Sequence, residues 1–292
     1  MSGAHLRAAR TGGSYGPRTH DDVEQCVEIP QLGLGTAGPG DDETRRRVRD
    51  ALSLGYRLID TAAKYENEVG VGQGIADSGI AREEVFVGTK LRGADHGYGS
   101  TKKALDASLR RLGLDYVDLY LIHWPLPRQD RYVESWHAME ELLADGKIRA
   151  IGVSNFLGEH LDRLAAESSV VPAVNQIELH PWLPQLEQRT DDARRGIATQ
   201  SWSPLARAGD LLGEPVLASI ASRYGKTPVQ VILRWHIELG LIPIPKSGNA
   251  DRLRQNLEVF DFKLTGDDLA EIATLENGTR VSNLDPRTHE EF

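Results

Sequence analysis

The chain has almost no sulfur chemistry to offer. Its one cysteine, Cys26, among 292 residues excludes an intramolecular disulfide and any cysteine-rich zinc site, and no metal is called for. A single thiol suits a reducing, cytoplasmic compartment. No run of about 18 consecutive apolar residues occurs, so no membrane-spanning helix is expected. Positive charge is also short. With 34 Lys and Arg against 43 Asp and Glu, the formal net charge is -9, which argues against a nucleic-acid partner while leaving room for a local basic patch around a small anion. The opening MSGAHLRAARTGGSYGPRTHDD lacks the apolar centre of a signal peptide and is rich in Gly, Arg and His, so residues 1–26 read as a flexible tail. Also missing is a Gly-x-Gly-x-x-Gly turn after the first strand-like run. GLGTAGPG (33–40) has the wrong glycine spacing, which weakens the reading of a doubly wound dinucleotide-binding sheet.

What is present is alternation. Short β-branched runs recur at 31–37, 56–62, 85–90, 117–124, 150–156, 173–179, 198–202 and 240–246, separated by amphipathic stretches such as DETRRRVRDALSLG, STKKALDASLRRLG, YVESWHAMEELLADG and EPVLASIASRYG. Eight strand-then-helix units predict an α/β protein, a closed (β/α)8 TIM barrel. TGDDLAEIATLENG (265–278) adds a C-terminal helix, and the last residues, VSNLDPRTHEEF, form a tail that can fold over a rim. Residues 27–292 thus make a single barrel domain. Ser100 and Asp41 or Asp42 are the expected helix N-caps; Gly55, Gly113 and Gly146 are the expected stops.

Functional groups of such a barrel gather where its strands end. Asp60, Lys90 and His123 end three successive runs, and Tyr65 follows Asp60 in a loop. Lys90, behind the apolar VFVG, needs a counter-ion, and Asp60 can supply it. A structural Asp–Lys pair would explain those two residues but not a phenol and an imidazole directed at the same space. A neighbouring ammonium favours tyrosinate, so Lys90 is expected to lower the pKa of Tyr65 from about 10. His123 can donate a hydrogen bond to a carbonyl. A second region, IPIPKSGNADRLRQN (242–256), puts Lys246 and Ser247 before a helix opened by Asn249 or Asp251 and bearing Arg252, Arg254 and Asn256. That is a phosphate site in the making, or else a solvated basic face. Between the two, Ser154, Asn155 and Gln176 suit a carboxamide, and Trp202 suits a flat heteroaromatic ring.

These motifs, in this order, resemble the aldo-keto reductase family over about Ile29 to Val281. The segments that carry the resemblance are GYRLIDTAAKYENE (55–68), DLYLIHWP (118–125), IGVSNF (151–156), NQIELHP (175–181) and IPKSGNADRLRQN (244–256). SWSPL (201–205) and NLEVFDFKLT (256–265) look most like the bacterial branch containing 2,5-diketo-D-gluconate reductases. The resemblance implies NADPH lying across the C-terminal face, without a Rossmann domain, and hydride transfer to an aldehyde or ketone. It implies Tyr65 as general acid, Lys90 and Asp60 as its tuning pair and His123 as the carbonyl-orienting group. Ser154, Asn155 and Gln176 would hold the carboxamide, and Trp202 would stack on the nicotinamide, with Ser203 and Leu205 beside the cofactor. Lys246, Ser247, Arg252 and Asn256 would bind the adenosine 2′-phosphate and adenine end. The implied partner is a small-molecule carbonyl substrate, with no nucleic acid and no membrane, and the protein is expected to act as a monomer.

The sequence departs from the family pattern in places. Ala37 replaces a frequent aromatic, which opens one pocket wall. Gln255 replaces a Glu before the adenine-site Asn. Arg92 stands where a Trp is frequent, which predicts a more polar pocket suited to anionic or hydroxylated substrates. The family's first β-hairpin is poorly marked before Ile29, so the bottom of the barrel is expected to be covered differently. Two other classes stay open: an NADPH-binding sensor or scaffold barrel with little turnover, like channel-associated relatives, and a Schiff-base aldolase with Lys90 as nucleophile. Asp60 argues against the second, because it should keep Lys90 protonated.

Overall fold

The computed structural model describes residues 5–7, 25 and 27–291. Eight parallel strands follow one another around a sheet: β3 (Leu34–Gly35), β4 (Leu58–Asp60), β5 (Phe86–Leu91), β6 (Leu119–Ile122), β7 (Ile151–Ser154), β8 (Val174–Glu178), β9 (Ala198–Trp202) and β10 (Ile242–Pro243). The sheet closes on itself. Gly33 and Gly35 donate backbone hydrogen bonds to the carbonyls of Pro243 and Pro245, both at 3.1 Å, so the first and last strands are joined. A proline cannot donate to a ladder, and here both serve as acceptors while Ile244 between them donates to Ser201 of β9. The (β/α)8 barrel read from the alternation is the fold.

Helices α1 (Asp41–Leu54), α2 (Glu68–Ser78), α3 (Tyr98–Leu112), α4 (Tyr132–Ala144), α5 (Gly158–Glu167) and α6 (Leu186–Arg194) follow β3 to β8 in turn. Two helices, α7 (Pro215–Tyr224) and α8 (Pro228–Glu238), separate β9 from β10; α9 (Ala250–Leu257) completes the ring, and α10 (Gly266–Ala273) is the extra C-terminal helix. α10 is held by a capping box between Thr265 and Asp268 and buries Ile272 against Leu217 and Leu264. Among the described residues, no helix is long and apolar enough to cross a membrane.

Helix ends only partly follow the expectation. Gly55 and Gly113 stop α1 and α3 in the left-handed conformation, and Gly146 takes it just beyond α4. Ser100, Asp41 and Asp42 are not N-caps. Gly97, at φ 115°, lets the chain enter α3 before Ser100, whose hydroxyl instead donates to the His96 and Gly97 carbonyls. α1 likewise starts after Gly40, and Asp41 Oδ1 accepts from the Gly70 N–H in the first turn of α2, at 2.7 Å. Asp41 therefore satisfies an orphan donor of the neighbouring helix.

The bottom of the barrel is filled from below. Strand β2 (Glu28–Pro30) pairs antiparallel with β1 (His5–Arg7). Val27 and Ile29 pack into a cluster with Leu58, Phe86, Leu119, Leu121, Val174 and Ile242. Gln25, assigned by its sequence to the tail, is tied in: it donates to the Val171 carbonyl and accepts from the Ile151 N–H. Of the expected tail, His5–Arg7 in β1 and Gln25 are described; the rest, including Cys26, lies outside the described residues. A covering strand pair is thus present where the sequence marked it poorly.

Candidate active site

Side chains alternate across a strand, so barrel-filling residues near the bottom set the phase for those above. Leu58 places Asp60 inward; Phe86 and Gly88 place Lys90; Leu119 and Leu121 place His123; Val174 places Gln176. Ser154, Trp202 and Lys246 share this phase on β7, β9 and the segment after β10. All except Lys90 line a single cavity of about 630 Å³, together with Tyr65, Asn155, Ser203 and Leu205. Lys90 lies beneath its floor and is fully buried.

Lys90 Nζ donates to Asp60 Oδ2 at 2.6 Å and to the Thr61 carbonyl at 2.8 Å. The other Asp60 oxygen accepts from Gln176 Nε2 at 2.9 Å, and that amide also donates to Gln200 Oε1 at 3.0 Å. Burial disfavours the Lys90 charge, but Asp60 and Tyr65 together outweigh it and hold the pKa above the ordinary lysine value. Lys90 therefore stays an ammonium and is a poor Schiff-base nucleophile.

Tyr65 ends a single 3-10 turn, Ala63–Tyr65, directly above this pair. Asn67 pins the turn: its amide donates to the Thr36 and Pro39 carbonyls across to the β3–α1 loop, and its oxygen accepts from Thr61. Lys90 Nζ lies 5.2 Å from the centre of the phenol ring. The expected lowering of the Tyr65 pKa is not what results. Burial raises it, and this outweighs the pull of Lys90, with Asp60 adding to the rise. The phenol is held protonated, beside a cation able to stabilise its anion. His123 stands edge-on to Tyr65, with ring centres 5.9 Å apart.

On the opposite wall the polar groups are interlocked. Asn155, in the left-handed region at φ 62°, donates to the His123 carbonyl at 3.0 Å and accepts from Trp202 Nε1 at 2.9 Å. Ser154 Oγ donates to the Gln176 carbonyl at 2.7 Å. These bonds fix the indole plane and the two amides relative to Tyr65. Beyond them, Lys246 is exposed at the cavity edge, facing Gly38. Asn249 caps α9 through the Arg252 N–H, and the Arg252 side chain is exposed at that helix start. Ser247 bonds within the same turn. Asn256 is buried under α9 beside the Tyr56 hydroxyl.

With these elements in place, comparison with known proteins decides the family. Residues 31–277 match the model of the Aldo/keto reductase family. The chain belongs to the aldo/keto reductase family. It is 54% identical over 260 residues to an aldo-keto reductase of Mycolicibacterium smegmatis (89% of this chain, 94% of the relative). It is 47% identical over 278 residues to morphine 6-dehydrogenase of Pseudomonas putida (91% and 94%). Among solved structures, an aldo/keto reductase from Brucella melitensis superposes with a TM-score of 0.83 at 51% identity, covering 86% of this chain and 96% of that one. A mutant of Gox0644 in complex with NADPH superposes at 0.86 and 44% identity, covering 91% and 96%.

In this aldo/keto reductase the structure adds residues that the sequence reading did not single out. The C-terminal tail crosses the cavity mouth, with Ser282 and Leu284 lining it. At one end, Val281 N–H and Ser282 Oγ donate to the buried Glu178 at the end of β8. At the other, Glu291 lies 2.7 Å from His123 Nδ1, and its pKa is lowered: burial opposes its charge, but His123 and the Gly93 N–H outweigh that. No local sequence pattern marks Glu291, because its partners lie far away in the chain. Arg92 is a correction. It is exposed, pairs with Asp95 at 2.6 Å and lines a separate groove between α2 and α3. The polar pocket wall expected from it is therefore absent. Ala37 does line the cavity, as its small size suggested.

Proposed function

We propose that this aldo/keto reductase reduces a small aldehyde or ketone to the alcohol with NADPH, and that Tyr65 delivers the proton. The reading is carried by one observation: a protonated phenol sits over a buried Lys90–Asp60 pair in the same cavity whose edge bears Lys246. Bound NADPH supplies the hydride. Ser154, Asn155 and Gln176 would hold its carboxamide, and Trp202, its plane fixed by Asn155, offers a stacking face. Ser203 and Leu205 line the same wall. Lys246 and Arg252 beside the capped start of α9 suit a phosphate monoester, with Ser247 and Asn256 completing that end. The fit is good: the residues present supply a stacking surface, fixed amides and clustered cations.

As the carbonyl carbon accepts hydride, negative charge builds on its oxygen. Tyr65 donates its proton there, and Lys90 stabilises the phenolate left behind. His123 orients the oxygen. In the reverse direction the same phenolate accepts the proton of an alcohol. One chain builds the whole cavity, so a monomer suffices; a single cysteine suits the cytoplasm, and 27–292 acts as one barrel domain. For substrate, we propose small diketones and sugar-derived ketones, on the resemblance to 2,5-diketo-D-gluconate reductases. Likeness to morphine 6-dehydrogenase supports a second reading, in which the opening at Ala37 admits a fused-ring alcohol or ketone.

The test is Tyr65→Phe. The variant should bind NADPH with unchanged affinity, by fluorescence quenching, and lose nearly all NADPH oxidation with phenylglyoxal. Retained turnover would sink the acid role. NADPH binding by the wild type with no oxidation across a panel of aldehydes, diketones and sugar ketones would favour a sensor or scaffold barrel.

A further inference from the structure

The carboxylate of Glu291 has no part in the reaction as written above, yet it is built into the site. Its Oε1 lies 2.7 Å from His123 Nδ1, with only 12% of the His123 and 6% of the Glu291 side chain exposed. Its Oε2 accepts from the Gly93 N–H at 2.7 Å. Despite its 2.7 Å separation from Oε1, Nδ1 makes no well-aligned hydrogen bond.

Several features show that the tail is seated here by design of the fold. A Cβ on Gly93 would lie 2.5 Å from Leu126 Cδ1 and 2.9 Å from the Glu291 carbonyl, so only glycine allows this approach. His289 packs edge-on against Trp124, with ring centres 4.3 Å apart. The far end of the tail is tied to Glu178. Besides His123, the charged or titratable groups whose fields reach Glu291 or are reached by it are Lys64, Tyr65, Arg92, His96 and His289.

A carboxylate can only accept a hydrogen bond, so the imidazole nitrogen facing it must carry a proton. In a neutral ring Nε2 would then be an acceptor. It can donate to a carbonyl oxygen only when the ring carries both protons, and a ring so buried needs a counter-ion. We propose that Glu291 is a positioning residue: the docked tail fixes a proton on His123 Nδ1 and supplies the counter-charge for the doubly protonated ring that donates from Nε2 to the substrate carbonyl. Tyr65 still gives the transferred proton, and His123 keeps both of its own. This rests on the reductase reading above.

The experiment uses the full chain labelled with 15N-histidine, with His123→Gln identifying the resonances. In the wild type, both His123 ring nitrogens should show the shift of a protonated nitrogen. Glu291→Gln, which keeps the shape but removes the counter-charge, should leave the ring neutral with one nitrogen unprotonated, and lower kcat for phenylglyoxal by at least about 10-fold, since a wrong protonation state is costly even when geometry survives. The NADPH Kd should stay nearly unchanged, because Glu291 is paired with His123 and bonded to Gly93, and not to a residue assigned to the cofactor. Gly93→Ala, which displaces the tail by bulk alone, should reproduce the loss of the proton. A His123 ring that keeps both protons in both variants overturns the proposal. A wild-type chain that oxidises no NADPH, with the two variants still losing the His123 proton, would sink the reductase reading and leave the Glu291–His123 coupling standing.

Discussion

Lys90 Nζ and Asp60 Oδ2 lie 2.6 Å apart beneath the cavity floor, with 0% and 8% of their side chains exposed. The pair arises from register. Asp60 is opposite Gly88, two residues before Lys90 on the adjacent strand, so both side chains enter the barrel on the same phase. At Gly88 an added Cβ would lie 3.8 Å from Asp60 Oδ1, an ordinary contact distance.

Removing the partner should therefore be expensive. Asp60→Asn leaves an ammonium buried without a counter-ion, at a cost of about 3–5 kcal/mol. Urea denaturation should show that loss, and turnover should collapse with it. The pH dependence has a definite sign. Because the folded pKa of Lys90 lies above the ordinary 10.5, the pair's contribution is complete below that pH and is lost as pH rises through the folded value. Thermal melts of the wild type should accordingly lose stability on the alkaline side.

Lys246 should separate the two nicotinamide cofactors. Lys246→Ala removes a charged hydrogen-bond donor from the proposed 2′-phosphate site, worth about 1.5–3 kcal/mol. The KM for NADPH should rise roughly 10-fold or more, while that for NADH stays nearly constant. Equal losses for both cofactors would place the phosphate elsewhere.

Gly72 tests the packing of α2. A Cβ there would fall 1.9 Å from the Leu112 carbonyl oxygen at the end of α3. Backbone cannot yield as a side-chain tip can, so Gly72→Ala should destabilise by about 3 kcal/mol. A lowered melting temperature in calorimetry is the check. Gly79→Ser, where no atom lies within 4 Å but φ is +68°, should cost only the backbone strain, about 1 kcal/mol.

Asp192 gives a second pH effect, of opposite origin. It is fully buried and accepts from Asn175, Gln188 and Thr199 at 3.1, 2.9 and 3.0 Å. Burial pushes its pKa up from 3.8 to about 6 despite those bonds. The folded state therefore binds this proton more tightly than the unfolded chain, and stability falls as pH rises from about 4 to about 6, by about 3 kcal/mol in all. Asp192→Asn cannot titrate. Its unfolding free energy relative to the wild type should improve between pH 4.5 and 7.5 in parallel denaturation series.

Much of this was legible in the sequence for identifiable reasons. The eight strand segments stood out because they are short, apolar and evenly spaced, and Asp60, Lys90 and His123 marked their ends. α2 was harder to see: EVGVGQG holds Gly70, Gly72 and Gly74, poor helix formers chosen here because Asp41, Leu112 and Arg45 backbone atoms come within 2.6 Å of where side chains would begin. The cap positions at Asp41 and Ser100 misled because adjacent glycines shifted the helix starts. Arg92 misled because its neighbour Asp95 turned it away from the cavity.

The sequence by itself determined the barrel, the chemical types in the site and the basic segment after the eighth strand. Local periodicity dictates those, since the alternation of a strand places every second side chain on one face. Only the tertiary structure decided the protonation of Tyr65, which depends on how far burial outweighs Lys90. It alone decided, too, that Glu291 would reach His123. Both are balances among groups distant along the chain, and a sequence records the groups but not the distances on which desolvation and Coulomb energy depend.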